Sequence, residues 1–107
     1  FLMPSRFEPC GLNQMYSQRY GTIPIVRQTG GLDDTVVDLT EDPERATGIK
    51  FREYSVRALA KAIRKALVLY DTPSLFTTMR RRGMLEDFSW GRTCEEYARI
   101  FARVIGR

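Results

Sequence analysis

The residues best placed to do chemistry open the chain. In Ser5-Arg6-Phe7-Glu8-Pro9-Cys10-Gly11-Leu12, a carboxylate and a glycine turn follow the short apolar run Phe1 to Pro4 and precede a helix-like stretch. A strand that ends in such a turn and enters a helix presents free backbone N–H groups at Gly11, Leu12 and Asn13, with the positive end of the helix dipole behind them. Such a site suits a diphosphate. Glu8 has two readings on spacing alone: an acid near a reacting centre, or a helix-N-terminal acid worth at most about 1 kcal/mol. A second turn, Thr29-Gly30-Gly31, follows the β-rich run Ile23-Pro24-Ile25-Val26. There the missing Cβ atoms allow close backbone approach to a ligand, although a Gly-Gly pair alone is most often a plain turn. Two such turns at neighbouring strand ends face one crevice, the usual ligand edge of an open α/β sheet.

Other chemistries are excluded by composition. The 107 residues contain no histidine, which removes His-based triads, His metal ligands and His proton shuttles from this stretch. Cys10 and Cys94 form no CxxC pair or Cys/His cluster, so the expectation is two reduced thiols and no metal site. The Cys10 side chain reads as a small buried hydrophobe.

These turns need elements to hold them. Leu12, Met15, Tyr16 and Tyr20 have helical spacing and end at Gly21, which places Tyr16 and Tyr20 on a buried face. Pro24 suits the start of the second strand. A short helical turn is expected near Thr35 to Asp38, and a third strand over Gly48 to Phe51. Ser55 caps a helix with the stripe Val56, Leu59, Ala60, Ile63, Ala66, Leu67 and Tyr70. Thr72-Pro73 starts another helix that stops at Gly83, and Ser89 caps the last. Its stripe, Trp90, Cys94, Tyr97, Phe101 and Val104 or Ile105, reads as core. Strands alternating with helices give an α/β fold: a partial Rossmann-like parallel sheet followed by C-terminal helices. The division is 1–54, a strand/helix half with the two glycine turns, and 55–107, a helical segment.

Charge is unevenly spread. Residues 1–44 hold 3 Lys and Arg against 7 Asp and Glu, and residues 45–107 hold 14 against 6. The Arg80-Arg81-Arg82 run reads as a solvated helix end. A basic module binding nucleic acid or a glucan is favoured by charge alone and has no recognised motif behind it, so neither nucleic acid nor membrane is an expected partner. The opening on Phe1-Leu2-Met3-Pro4 without Met reads as a cut end. An uncovered edge on the first strand makes a homodimer of the fragment a further expectation.

The run from Ser5 to Leu12, then Gln14, Tyr16, Tyr20-Gly21-Thr22-Ile23-Pro24 and Arg27-Gln28-Thr29-Gly30-Gly31-Leu32-Asp33-Asp34-Thr35-Val36, closely resembles the bacterial glycogen synthase and plant starch synthase family. Asp87-Phe88-Ser89-Trp90 is similar to that family's C-terminal pattern. The resemblance implies the C-terminal part of the nucleotide-sugar-binding lobe of a two-lobed (GT-B) retaining glucosyltransferase. Such an enzyme moves glucose from ADP-glucose or UDP-glucose to the non-reducing end of an α-1,4-glucan, with no metal or cofactor. The resemblance assigns Glu8 to the donor sugar and Cys10, Gly11 and Leu12 to sugar and phosphate. Asn13, Thr29, Gly30 and Gly31 complete the expected binding set. It further implies an N-terminal lobe beyond this chain, without which no turnover is expected, and a cytoplasmic or plastid location. Many proteins of this architecture carry a second Glu eight residues after the first. Tyr16 stands there, which separates this chain from sucrose- or trehalose-type synthases, the alternative reading.

Overall fold

The computed structural model describes residues 1–106. Among them the elements run β1 (Leu2–Met3), α1 (Asn13–Arg19), β2 (Ile25–Arg27), α2 (Gly30–Thr35), β3 (Ile49–Phe51), α3 (Val56–Tyr70), α4 (Pro73–Leu85) and α5 (Trp90–Val104). The three strands form one parallel sheet in the order β1-β2-β3, with Leu2 opposite Ile25 and Ile25 opposite Ile49. Pro24 lies just before β2, where its missing N–H costs no ladder bond and its carbonyl accepts from Ile49. Parallel strands need crossovers, and α1 and α2 supply them.

Apolar groups cover both faces of the sheet. On one side Ala46, Ile49, Phe51, Ala62, Leu69 and Met79 pack under α3 and α4; on the other, Val26, Leu32 and Val36 pack together with Met3. Ser55 caps α3 through its hydroxyl, which accepts from the Ala58 N–H at 3.2 Å.

Four expectations are corrected. The short helix lies at Gly30–Thr35, one turn earlier than expected, and Val36 to Asp38 is extended because Asp38 bridges in parallel to Gly48. In α3 the inward stripe is Ala58, Leu59, Ala62, Ala66 and Leu69, while Val56, Leu67 and Tyr70 are exposed. The alanines at i, i+4 and i+8 hold nothing between helix and sheet, so that narrow row wins over the bulkier one. Gly83 does not stop α4; it lies inside the helix, where a Cβ would stand 3.4 Å from the side chain of Gln18. The α5 stripe is not core: Trp90, Tyr97, Phe101, Val104 and Ile105 are all exposed, and α5 buries no residue. That helix leaves the sheet after Glu86 and meets no apolar layer among the described residues.

The arginine run is also only partly solvated. Arg80 Nε donates to the Gly21 carbonyl at 2.6 Å and Arg82 Nη1 to the Pro43 carbonyl at 2.8 Å, so both tie α4 to distant turns.

The β2–β3 connection is organised by Asp38, which is buried and accepts from the Lys50 N–H at 2.7 Å, the Thr40 N–H at 2.8 Å and the Thr40 hydroxyl at 2.7 Å. Burial pushes its pKa up, but these hydrogen bonds and nearby Lys65 outweigh that, and the carboxyl titrates below its ordinary 3.8. A depressed folded-state pKa gives stability that is complete above the ordinary value and lost as pH falls through the lower one. Asp38→Asn, whose amide turns a donor toward one of these N–H groups, is expected to destabilise the chain by about 1–3 kcal/mol at pH 7. The gap to the parent should shrink below pH 3.8 in chemical denaturation.

Candidate functional site

Because β1 and β2 are parallel neighbours, their C-terminal ends lie side by side, and the turns after them meet. The Gly31 N–H donates to the Glu8 carbonyl at 3.1 Å and to the Pro9 carbonyl at 3.2 Å. Glu8 and Gly30 therefore sit on the same edge of the sheet, in contact through the backbone. A Cβ at Gly30 would fall 2.0 Å from the Glu8 carbonyl oxygen, and one at Gly31 would fall 1.9 Å from the Cys10 carbonyl oxygen. The glycine pair thus makes room for the chain's own β1–α1 loop rather than leaving open space for a ligand. Gly30 also has φ +46°, a conformation that disfavours other residues.

All the residues expected to form the site are gathered on this edge, with different exposures. Glu8 is half-buried, with the Ser5 hydroxyl 3.4 Å from its Oε2. Cys10 is exposed, which corrects the expectation of a buried thiol; its Sγ lies 3.6 Å from the Gly11 carbonyl. Leu12 and Asn13 are exposed at the start of α1. Gly11 takes φ +71° and turns the chain into that helix. Thr29 is half-buried and Gly30 exposed, whereas Gly31 is buried with its N–H engaged, so it supports the loop from beneath. Among the described residues no backbone carbonyl accepts from the N–H groups of Gly11, Leu12, Asn13 or Gly30.

Several supporting residues were assigned no role from the sequence. Gln14 is fully buried, and the two N–H groups of its Nε2 are shared among the carbonyls of Cys10 and Gly11 and the Thr35 hydroxyl. Thr35 in turn donates to the Gly31 carbonyl at 2.6 Å. Arg27, the last residue of β2, donates from Nη1 to the Arg6 carbonyl and holds the loop's first half. The Arg27 and Arg6 guanidinium groups both lie over the Tyr54 ring, 5.5 and 5.0 Å from its centre, which brings the turn after β3 to the same edge.

The reason Gln14 escaped notice is that α1 is inverted relative to its apolar pattern. Gln14, Ser17 and Gln18 face inward, while Tyr16 is 56% and Tyr20 82% exposed. The inner surface of α1 meets loop carbonyls and the carbonyl of Thr35, which need donors, not hydrocarbon. The spacing Gln14, Ser17, Gln18, Gly21 is itself helical and polar, and it was the available clue.

No family profile matches the chain. It is 54% identical over 110 residues to a glycogen synthase of Thioalkalivibrio sulfidiphilus, a match that covers 98% of this chain and 22% of that protein. The catalytic domain of starch synthase IV from Arabidopsis thaliana, solved with ADP and acarbose, superposes with a TM-score of 0.84 at 36% identity, over 100% of this chain and 22% of that one. A sucrose-phosphate synthase from Thermosynechococcus elongatus superposes with a TM-score of 0.67 at 27% identity, over 98% of this chain and 25% of that one. The chain therefore spans about a fifth of the length of the curated relatives it matches.

Proposed function

We propose that this chain, a segment of the glycogen and starch synthase family, forms part of the nucleotide-sugar site of a retaining glucosyltransferase that extends an α-1,4-glucan. The donor is ADP-glucose or UDP-glucose, and the acceptor is the non-reducing end of the glucan. The observation that carries this reading is the backbone contact between Gly31 and Glu8, which fuses two turns into one ligand edge.

The chemistry follows from that edge. Breaking the bond between glucose C1 and the diphosphate leaves negative charge on the phosphate oxygens and positive charge on the sugar ring. The free N–H groups of Gly11 and Leu12 serve the first, since preorganised donors stabilise charge without reorganising when it develops. The Glu8 carboxylate serves the second or holds sugar hydroxyls in place. Asn13, Thr29 and Gly30 line the same edge, and Gly31 acts from below. The bond to the glucan forms on the same face of C1 that the diphosphate leaves, which is what retention means.

Similarity to sucrose-phosphate synthase supports a second reading, a related transferase with another acceptor, at lower identity and lower structural agreement. The exposed apolar stripe of α5 fits a helix covered by the remainder of the enzyme, and the acceptor would be bound there as well. The test is glucose incorporation into glycogen from ADP-glucose or UDP-glucose. The full-length protein carrying this segment is expected to be active and the 107-residue chain to be inactive. Failure of the full-length protein with both donors would remove the reading.

A further inference from the structure

We infer that Gln14 is the positioning residue that aims the anion-receiving amides of the β1–α1 loop at the ligand edge, an inference that rests on the nucleotide-sugar reading above. Its side chain is fully buried, and Nε2 lies 3.1 Å from the Cys10 carbonyl, 3.0 Å from the Gly11 carbonyl and 3.0 Å from the Thr35 hydroxyl. All peptide bonds in the described chain are trans. In a trans peptide the C=O of one residue and the N–H of the next point in opposite directions. Drawing the Cys10 carbonyl inward therefore turns the Gly11 N–H outward, and drawing the Gly11 carbonyl inward does the same for the Leu12 N–H. Neither N–H has a carbonyl partner among the described residues.

The amide has only one workable orientation. Its Oε1 is buried and unpartnered, yet a flipped amide would set that oxygen against two carbonyl oxygens. The turn also lies directly against this amide: a Cβ at Gly11 would stand 2.8 Å from Oε1. The third contact extends the hold, because the Thr35 hydroxyl that accepts from Gln14 donates to the Gly31 carbonyl. Gln14 thus fixes the direction of two amides in the first turn and links them to the helix that follows the second. Leucine or methionine would fill the same space without an unpaired buried Oε1, but would leave the Cys10 and Gly11 carbonyls without the donor that holds them.

Gln18 provides the matched control. It lies on the same face of α1, is equally buried, also has an unpartnered Oε1, and donates to the Thr35 carbonyl rather than to the loop. The experiment is an ADP titration of the full-length protein, selectively 15N-labelled at glycine and leucine and followed at the Gly11 and Leu12 amides, for the parent, Gln14→Leu and Gln18→Leu. Gln14→Met replaces Gln14→Leu if the latter does not fold. The expected result is displacement of both amide resonances in the free Gln14 variant and at least a tenfold loss of ADP affinity, with Gln18→Leu within twofold of the parent. Unchanged amides and affinity in the Gln14 variant, or an equal loss in Gln18→Leu, overturn the inference. Should the parent itself ignore ADP, the nucleotide reading fails separately. The positioning role is then decided by the free chains: displacement in the Gln14 variant alone upholds it, and unmoved amides reject it.

Discussion

Gly31→Ala is expected to destabilise the chain by about 3 kcal/mol, the upper part of the range for forcing an extra group into a filled space. The new Cβ would lie 1.9 Å from the Cys10 carbonyl oxygen and 2.5 Å from its carbonyl carbon, both backbone atoms that no rotamer change can move away. Either α2 must withdraw or the β1–α1 loop must lift, and lifting breaks the bond from the Gly31 N–H to the Glu8 carbonyl. The comparison is Gly91→Ala in α5, where the added methyl meets only the Ser89 hydroxyl at 3.5 Å. There the lower entropy cost of alanine in a helix should stabilise by about 0.5–1 kcal/mol. Urea denaturation of the two variants beside the parent reads both effects. Equal and small changes would mean that the two turns are not packed as described.

Glu8→Gln in the full-length protein should leave the fold intact and lower kcat by at least about a hundredfold, the usual scale for losing a charge that acts in the transition state. The side chain is half-buried at the meeting of the two turns, and the substitution keeps its shape while removing the negative charge. The KM for the sugar donor should change far less than kcat, because in the proposed site the diphosphate meets backbone amides that the substitution leaves in place. Steady-state kinetics with ADP-glucose and glycogen separates the two parameters. A variant with unchanged kcat would reduce Glu8 to a helix-N-terminal acid.

Much of the fold was legible in the sequence because local rules and tertiary demands agree. Ser55 caps α3, Pro73 opens α4 and Gly21 ends α1 as turn and cap chemistry requires, and the strand-turn-helix alternation gives a parallel sheet. The meeting of the two turns at one sheet edge was legible for the same reason, since Glu8 and Gly30 follow adjacent strands. What was not legible depends on what each helix faces. The apolar spacing of Leu12, Tyr16 and Tyr20 marks the outer side of α1, because the inner side must satisfy carbonyls through Gln14 and Gln18. The stripe of α5 is apolar without being core, because no layer lies over it among the described residues. The glycines after β2 suggest space for a ligand, whereas that space holds the neighbouring loop. Sequence shows that glycine is needed there but not which backbone approaches it.

The most direct test of the whole account is a crystal structure of the full-length protein with ADP. A phosphate oxygen about 3 Å from the backbone nitrogen of Gly11 or Leu12, with Glu8 and Gly30 bordering the same density, is the expected result. ADP bound in a different part of the protein, with both turns bare, would contradict it.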